Sequence, residues 1–237
     1  RTVQSRVEDA LSKVADEPIS VITAGRTDTG VHATHQVIHF DTSANRSQIA
    51  WCRGANRFMD RDVRLHWVQQ VDLDFHARFA ALSRSYRFVI YNHSVAPAIN
   101  RSNLTHEFKP LDERAMIAAG RMLLGEHDFS SFRAAGCQAH SPIRTVSHFE
   151  LCRSGPYIWF DISANAFLQH MVRNIAGALI EVGCGKRDTA WFESLFDLKD
   201  RTKGGVTAKA SGLYLTGVDY PSQYELPSRR ATISFWK

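Results

Sequence analysis

The chain has 237 residues, which predicts one or two domains, and its 44% hydrophobic content is typical of a globular protein with a buried core. No apolar run approaches the roughly 20 residues that a membrane span needs, and the first residues lack the apolar segment of a signal peptide, so we expect a cytoplasmic protein with no membrane partner. The net charge of +5 suits a polyanionic partner such as a nucleic acid, although it does not identify one.

The first third of the chain reads as α-β-β-α-β. Apolar residues at helical spacing predict two helices, and continuous or alternating apolar runs predict three strands. The predicted elements are a helix at Val3–Ala15, strands at Ile19–Ala24 and Gln36–Asp41, a helix that Ser47 or Asn45 caps and that runs to Arg57, and a strand at Val63–Val71.

The rest of the chain reads as β-α-β-β-α-(α)-β. The predicted elements are a strand at Ser83–Tyr91, a helix at Asp112–Leu124, a hairpin of Thr145–Arg153 and Tyr157–Ala164, helices at Phe167–Val182 and Trp191–Leu198, and a closing strand at Leu213–Asp219. Two copies of one topology predict an α+β fold of two β-α-β-β-α-β domains, residues 1–73 and 74–237, related by a pseudo-twofold axis. We expect mainly antiparallel sheets and an active-site cleft between the domains.

The loop between the first two predicted strands carries the most distinctive residues of the sequence. Gly25 and Gly30 allow backbone conformations that other residues avoid, and Asp28 lies between them at the loop tip. Arg26 adds a planar fork of donors suited to a phosphate or a carboxylate. A plain turn with a polar tip accounts for the same residues, because Gly and Asp are common in turns.

The segment Gly25-Arg26-Thr27-Asp28-Thr29-Gly30-Val31-His32-Ala33 resembles the catalytic motif of the tRNA pseudouridine synthase A family. In that family the aspartate is the essential catalytic residue, so the resemblance implies that Asp28 is the nucleophile. The sequence departs from the motif at Thr29 and His35, where the family usually has alanine and glycine. That family also has an opening strand before the first helix, and this sequence lacks it, so we expect a shortened version of the protein.

The resemblance implies three further site residues. Arg173, in the segment Phe167–Asn174, matches a helix-borne arginine that would pair with Asp28 and keep it ionised. Tyr86 matches a tyrosine that packs on the target uracil, and Leu213 matches an apolar residue that lines the pocket. The alternatives are a surface arginine, a core aromatic of a strand and a core leucine.

The activity that the resemblance implies is isomerisation of uridine to pseudouridine at positions 38, 39 and 40 of the anticodon stem-loop of tRNA. It implies no cofactor, Arg26 as a phosphate-binding residue, and a homodimer in which each tRNA spans both subunits. The second hypothesis is an RNA-binding module without catalysis, because the missing opening strand would leave neighbouring backbone groups unpaired.

The sequence predicts no metal site. His32, His35 and His39 have the spacing of ligands on a helix, but the pattern around them is that of strand and turn, with no cysteine or second carboxylate nearby. The four cysteines are scattered without a Cys-x-x-Cys pair, which argues against zinc and against a disulfide framework. A metal-dependent phosphodiesterase using Asp28, His32 and His39 remains the third hypothesis.

Overall fold

The structure, a computed structural model, describes residues 2–227, and these residues group into two compact units. The elements in chain order are α1 (Val3–Ala15), β1 (Ile22–Thr23), β2 (His32–Ala33), β3 (Ile38–His39), α2 (Gln48–Phe58), β4 (Ser83–Asn92), β5 (Thr105–Glu107), α3 (Glu113–Arg121), β6 (Gly125–Asp128), β7 (Ile143–Ser154), β8 (Tyr157–Ala164), α4 (Met171–Gly183), α5 (Thr189–Leu198) and β9 (Leu213–Asp219). None of the helices in this part of the chain combines the length and the apolar character that crossing a membrane requires.

The first unit is built on the packing of α1 against α2. Helix α1 begins at a capping box, in which Thr2 and Ser5 satisfy each other's backbone donors, and it covers the residues predicted. Helix α2 begins at Ser47, whose hydroxyl accepts a hydrogen bond from Ala50 N, so the predicted Ser47 cap is confirmed. The buried core of this unit consists of Val7, Ala10, Leu11, Ala15, Ile19, Val21, Trp51, Ala55 and Met59.

The strands predicted at Ile19–Ala24 and Gln36–Asp41 are much shorter than expected. Only β1 and β3 form a ladder, antiparallel and two residues long. Side chains of α1 accept hydrogen bonds from backbone N–H groups that would otherwise pair in a longer ladder. Ile19 N donates to Ser12 Oγ, and Val21 N donates to Glu8 Oε1. The segment therefore packs on a helix rather than within a sheet.

The strand predicted at Val63–Val71 is wrong. The Asn56 side chain of α2 takes the place of a neighbouring strand, accepting from Leu65 N at 2.8 Å and donating to Leu65 O at 2.7 Å. Val63 and Leu65 still pack against the core. The alternation in the sequence thus reports burial of one face correctly, but the backbone is satisfied by a side chain instead of a ladder.

The second unit, which contains residues 27–35 and 83–218, is built on a seven-stranded sheet. The strand order is β2-β9-β4-β8-β7-β6, with β5 added beside β4. The pairs β4–β8, β7–β8 and β6–β7 are antiparallel, whereas β2–β9 and β4–β5 are parallel. The predicted α+β class with a mainly antiparallel sheet is confirmed. The pseudo-twofold relation and the boundary between residues 73 and 74 stay predictions.

The order of elements predicted for the second unit is also confirmed, with differences at the edges. The hairpin β7–β8 and the strands β4 and β9 lie where the sequence placed them, while the short strands β2, β5 and β6 were missed. Helix α4 begins at Met171, four residues after the predicted Phe167, because His170 adopts a left-handed backbone conformation with φ 62°. That late start places Arg173 in the first turn of α4.

Candidate active site

The loop that carries Asp28 is anchored to the sheet of the second unit. His32 and Ala33 form β2, which pairs with β9, and Thr34 N donates to Leu215 O at 2.9 Å. Upstream of β2 the chain turns, with Val31 N donating to Asp28 O at 3.0 Å. Gly30 has φ +86°, a conformation that side chains with a Cβ rarely adopt, which explains glycine at this position of the turn.

The carboxylate of Asp28 meets two cationic or donor side chains at the start of α4. Arg173 Nη1 donates to Asp28 Oδ2 at 2.7 Å, and His170 Nε2 lies 3.2 Å from the same oxygen. The exposed fractions of the side chains are 33% for Asp28, 32% for His170 and 17% for Arg173. The structure therefore brings the predicted Asp28 and Arg173 together, and it leaves the carboxylate partly open to a reacting molecule.

The chain after α5 fixes the guanidinium of Arg173. Its Nε donates to Ala208 O at 2.9 Å, and its backbone oxygen accepts from Ala208 N at 3.1 Å. This segment approaches α4 at Gly177, where an added Cβ would lie 1.7 Å from Val206 O. Glycine at 177 thus allows the close approach that puts Ala208 within reach of Arg173.

A buried amide ties the same segment to the helix. Asn174 is 2% exposed, and its Oδ1 accepts hydrogen bonds from Thr207 Oγ1 at 2.7 Å and from Arg201 Nη2 at 3.0 Å. Its Nδ2 donates to Phe132 O at 2.7 Å. Because a buried amide with unpaired atoms is costly, this network holds residues 201–207 in one position relative to the Arg173 turn.

Tyr86 lies in β4, opposite Ile162 of β8, and its ring meets Phe167 edge to face with centroids 5.1 Å apart. The residue is only 9% exposed, so in this structure the ring is packed as a core aromatic would be. Burial raises the pKa of Tyr86 to about 12; the charge of Arg84 opposes this shift and that of Asp28 adds to it. The phenol therefore stays protonated at neutral pH.

The two remaining predicted site residues differ in their surroundings. Leu213 begins β9 and is 6% exposed, as expected for either a pocket wall or a core leucine. Arg26 belongs to the first unit and is exposed, and it makes no hydrogen bond or ion pair with any residue in the range 2–227. Their roles in substrate binding stay predictions.

The histidines of the loop have structural partners. The ring of His32 stacks on Tyr214 with centroids 4.8 Å apart, and its Nε2 lies 3.0 Å from Ser102 O. His39 Nδ1 accepts a hydrogen bond from Ala77 N at 3.1 Å. Within the described part of the chain, no group of three or more His, Cys, Asp or Glu side chains is arranged to hold a metal ion.

Three contacts of the site were not foreseen from the sequence, namely those of His170, Ala208 and Phe167. His170 stands three residues before Arg173, which is the spacing of neighbours on one helix face, and that spacing could have drawn attention to it. Ala208 contributes only backbone atoms, and Phe167 acts through its ring alone. No sequence pattern identifies contacts of these two kinds.

Comparison with known proteins extends the similarity beyond this loop. The profile of a family described as tRNA pseudouridine synthase matches residues 1–80 and 119–221. The tRNA pseudouridine synthase A of Photorhabdus laumondii is 54% identical over 227 residues, which cover 96% of this chain and 86% of the relative. Proteins of the same name from Yersinia pseudotuberculosis (54% over 226 residues, 95% and 86% covered) and Escherichia coli O1:K1 (52% over 227 residues, 96% and 84% covered) are similarly related. The similarity therefore spans nearly the whole chain.

Proposed function

This chain belongs to the tRNA pseudouridine synthase family, and from that premise we propose that it isomerises uridines 38, 39 and 40 in the anticodon stem-loop of tRNA, with Asp28 as the nucleophile and without a cofactor. The chain is accordingly an isomerase. The single observation that supports the finer proposal best is the Asp28 carboxylate, one third exposed and held by Arg173 at 2.7 Å.

The chemistry of the reaction is consistent with this set of residues. Uridine and pseudouridine have the same atoms, so the N1–C1′ bond breaks, a C5–C1′ bond forms, and the C5 proton leaves to solvent while N1 gains one. The net gain of atoms and electrons is zero, and none has to come from a cofactor. The target nucleotide leaves its stack to reach the carboxylate, and Asp28 forms a transient covalent bond with the sugar or with the base.

The neighbours of Asp28 have distinct roles in this proposal. Arg173 orients the carboxylate through one nitrogen while Ala208 O holds another. Tyr86 packs on the uracil in this proposal and assists proton transfer at C5; the charge of Asp28 contributes to its raised pKa. Leu213 would line the apolar side of the pocket.

Arginines outside the site would position the RNA backbone. Arg26, Arg53 and Arg57 are exposed, and guanidinium groups bind phosphates without reading sequence. We further propose a homodimer in the cytoplasm, each tRNA contacting both subunits. Binding to tRNA should then weaken as salt concentration rises, because phosphate contacts release counterions.

The test of the proposal is tritium release from tRNA that contains 5-tritiated uridine. We expect release by the wild-type chain and none by Asp28→Asn, which keeps the size of the side chain but removes its charge and nucleophilicity. Asp161→Asn is the matched control, because Asp161 also pairs with an arginine of the second unit, Arg87, at 2.7 Å. Substrates in which U38, U39 and U40 are replaced by cytidine should lose the corresponding release. Wild-type release by Asp28→Asn would refute the role of Asp28.

A further inference from the structure

His170 is the second side chain on the Asp28 carboxylate, and its backbone is strained. The residue has φ 62°, a left-handed conformation that costs roughly 1–2 kcal/mol for a residue with a Cβ. Glycine or asparagine would adopt it more readily. It directly precedes α4, and its own oxygen accepts the helical hydrogen bond of Asn174 N at 2.9 Å.

The side chain of His170 does not cap the helix that it precedes. It makes no capping hydrogen bond to the free donors of the first turn. Its ring instead points Nε2 to within 3.2 Å of Asp28 Oδ2. Strain of this kind persists only where surrounding contacts require it, and it is concentrated at functional sites. The contact of the His170 ring with Asp28 is made from this left-handed residue.

Both contacts on Asp28 fall on one oxygen. Arg173 Nη1 and His170 Nε2 approach Oδ2 from the first turn of α4 and from the residue before it. Among residues 2–227, no side chain or backbone group forms a hydrogen bond with Oδ1. One hydrogen bond from Arg173 and one close polar contact with His170 restrict the orientation of the carboxylate through Oδ2 and leave the other oxygen available.

We propose that His170 is a positioning residue for the reaction: with Arg173 it holds Oδ2 of Asp28, so that Oδ1 is presented to the substrate. This inference rests on the proposed role of Asp28 as nucleophile. His170 acts through Asp28 and does not itself contact the reacting atoms. Its loss should lower the rate of the chemical step while leaving the affinity for tRNA nearly unchanged.

The experiment replaces His170 with glycine, which accepts the left-handed backbone and removes only the imidazole. We expect kcat to fall about tenfold, because the carboxylate is less well oriented without the imidazole, while KM stays within about twofold. Adding free imidazole should restore part of the lost rate, because the ring can refill the space beside Oδ2. Asn100→Gly is the matched control, since Asn100 is also left-handed, with φ 60°, in the same unit.

The outcomes separate this inference from the proposed function. An unchanged kcat in His170→Gly, or a loss that imidazole does not restore, would overturn the positioning role. Asp28→Asn is assayed in parallel: if it is inactive while His170→Gly is fully active, only the positioning role fails. If Asp28→Asn retains wild-type release, the proposed nucleophile fails as well. A thermal melt of each variant confirms that it is folded at the assay temperature.

Discussion

Substituting Gly177 with alanine tests whether the segment after α5 positions Arg173, the proposed partner of the nucleophile. The added Cβ would stand 1.7 Å from Val206 O and 2.9 Å from Val206 C. An ordinary contact between a carbon and a carbonyl oxygen is about 3.3 Å, so the two backbones must separate by about 1.6 Å. Neither partner is a flexible side-chain end, and the displacement therefore falls on the chain that leads to Ala208.

The size of the effect on catalysis follows from the Arg173 contacts. Ala208 O lies 2.9 Å from Arg173 Nε, and even half of the shift would lengthen this bond to roughly 3.7 Å, beyond hydrogen-bond range. A misplacement of about 1 Å in a catalytic arrangement costs about 100-fold in rate. We therefore expect kcat of Gly177→Ala to fall by about 10- to 100-fold.

The effect on stability should be moderate, because the atom that must move is backbone. Overpacking costs about 1–3 kcal/mol, and alanine returns about 1 kcal/mol of helix propensity over glycine. A net loss of about 2 kcal/mol corresponds to a fall in Tm of about 4–8 °C for a chain of this size. The variant should thus be folded at 25 °C, where tritium release is measured.

Gly120→Ala is the matched control for this substitution. Gly120 also lies in a helix of the second unit, and its added Cβ would meet the ring of Phe149 at 2.1 Å. We expect a smaller fall in Tm than for Gly177→Ala, because the ring of Phe149 is a side-chain end whereas Val206 O is backbone, and a kcat within twofold of wild type. If Gly177→Ala is destabilised and yet turns over at the wild-type kcat, residues 205–208 do not position Arg173 and the reasoning is refuted.

Two further predictions concern the same unit. Arg173→Lys keeps the charge, but one ammonium group cannot replace the two guanidinium nitrogens that donate to Asp28 and to Ala208 O. We therefore expect kcat/KM for tritium release to fall about 10- to 150-fold, which corresponds to about 1.5–3 kcal/mol. Wild-type activity of this variant would contradict the prediction. Burial raises the pKa of Tyr86 and of Tyr214 to about 12, above the value of about 10 in an unfolded chain. These phenols therefore contribute stability that is fully present below pH about 10 and is lost as the pH rises toward 12. Denaturant unfolding should show a shallower decline over this range for Tyr86→Phe than for wild type, and identical slopes would contradict the assignment.

The elements that the sequence predicted well are those whose backbone bonds are local or form a long ladder. Helix α1 carries its own cap, and the hairpin β7–β8 joins strands that follow each other in the chain. The segments at Ile19–Ala24 and Val63–Val71 failed for one shared reason. Their apolar residues are buried as the pattern indicates, but Ser12, Glu8 and Asn56 supply hydrogen bonds from helices, and an alternating pattern does not distinguish such partners from a strand.

The contacts of the candidate site also differ in how well the sequence predicts them. Asp28 and Arg173 are 145 residues apart, and no periodicity links them; the motif resemblance alone paired them before the structure did. The contacts that orient Arg173 come from the oxygen of Ala208 and from the space left by Gly177, neither of which carries a chemical signature in sequence. His170 is an intermediate case. The residue has a left-handed backbone and contacts Asp28, but the helix-forming residues around it predict a regular helix at this position. The proposed nucleophile can thus be identified from its motif, whereas its orientation depends on backbone geometry. Substitutions at 170 and 177 test that geometry without removing a group that is proposed to touch the substrate.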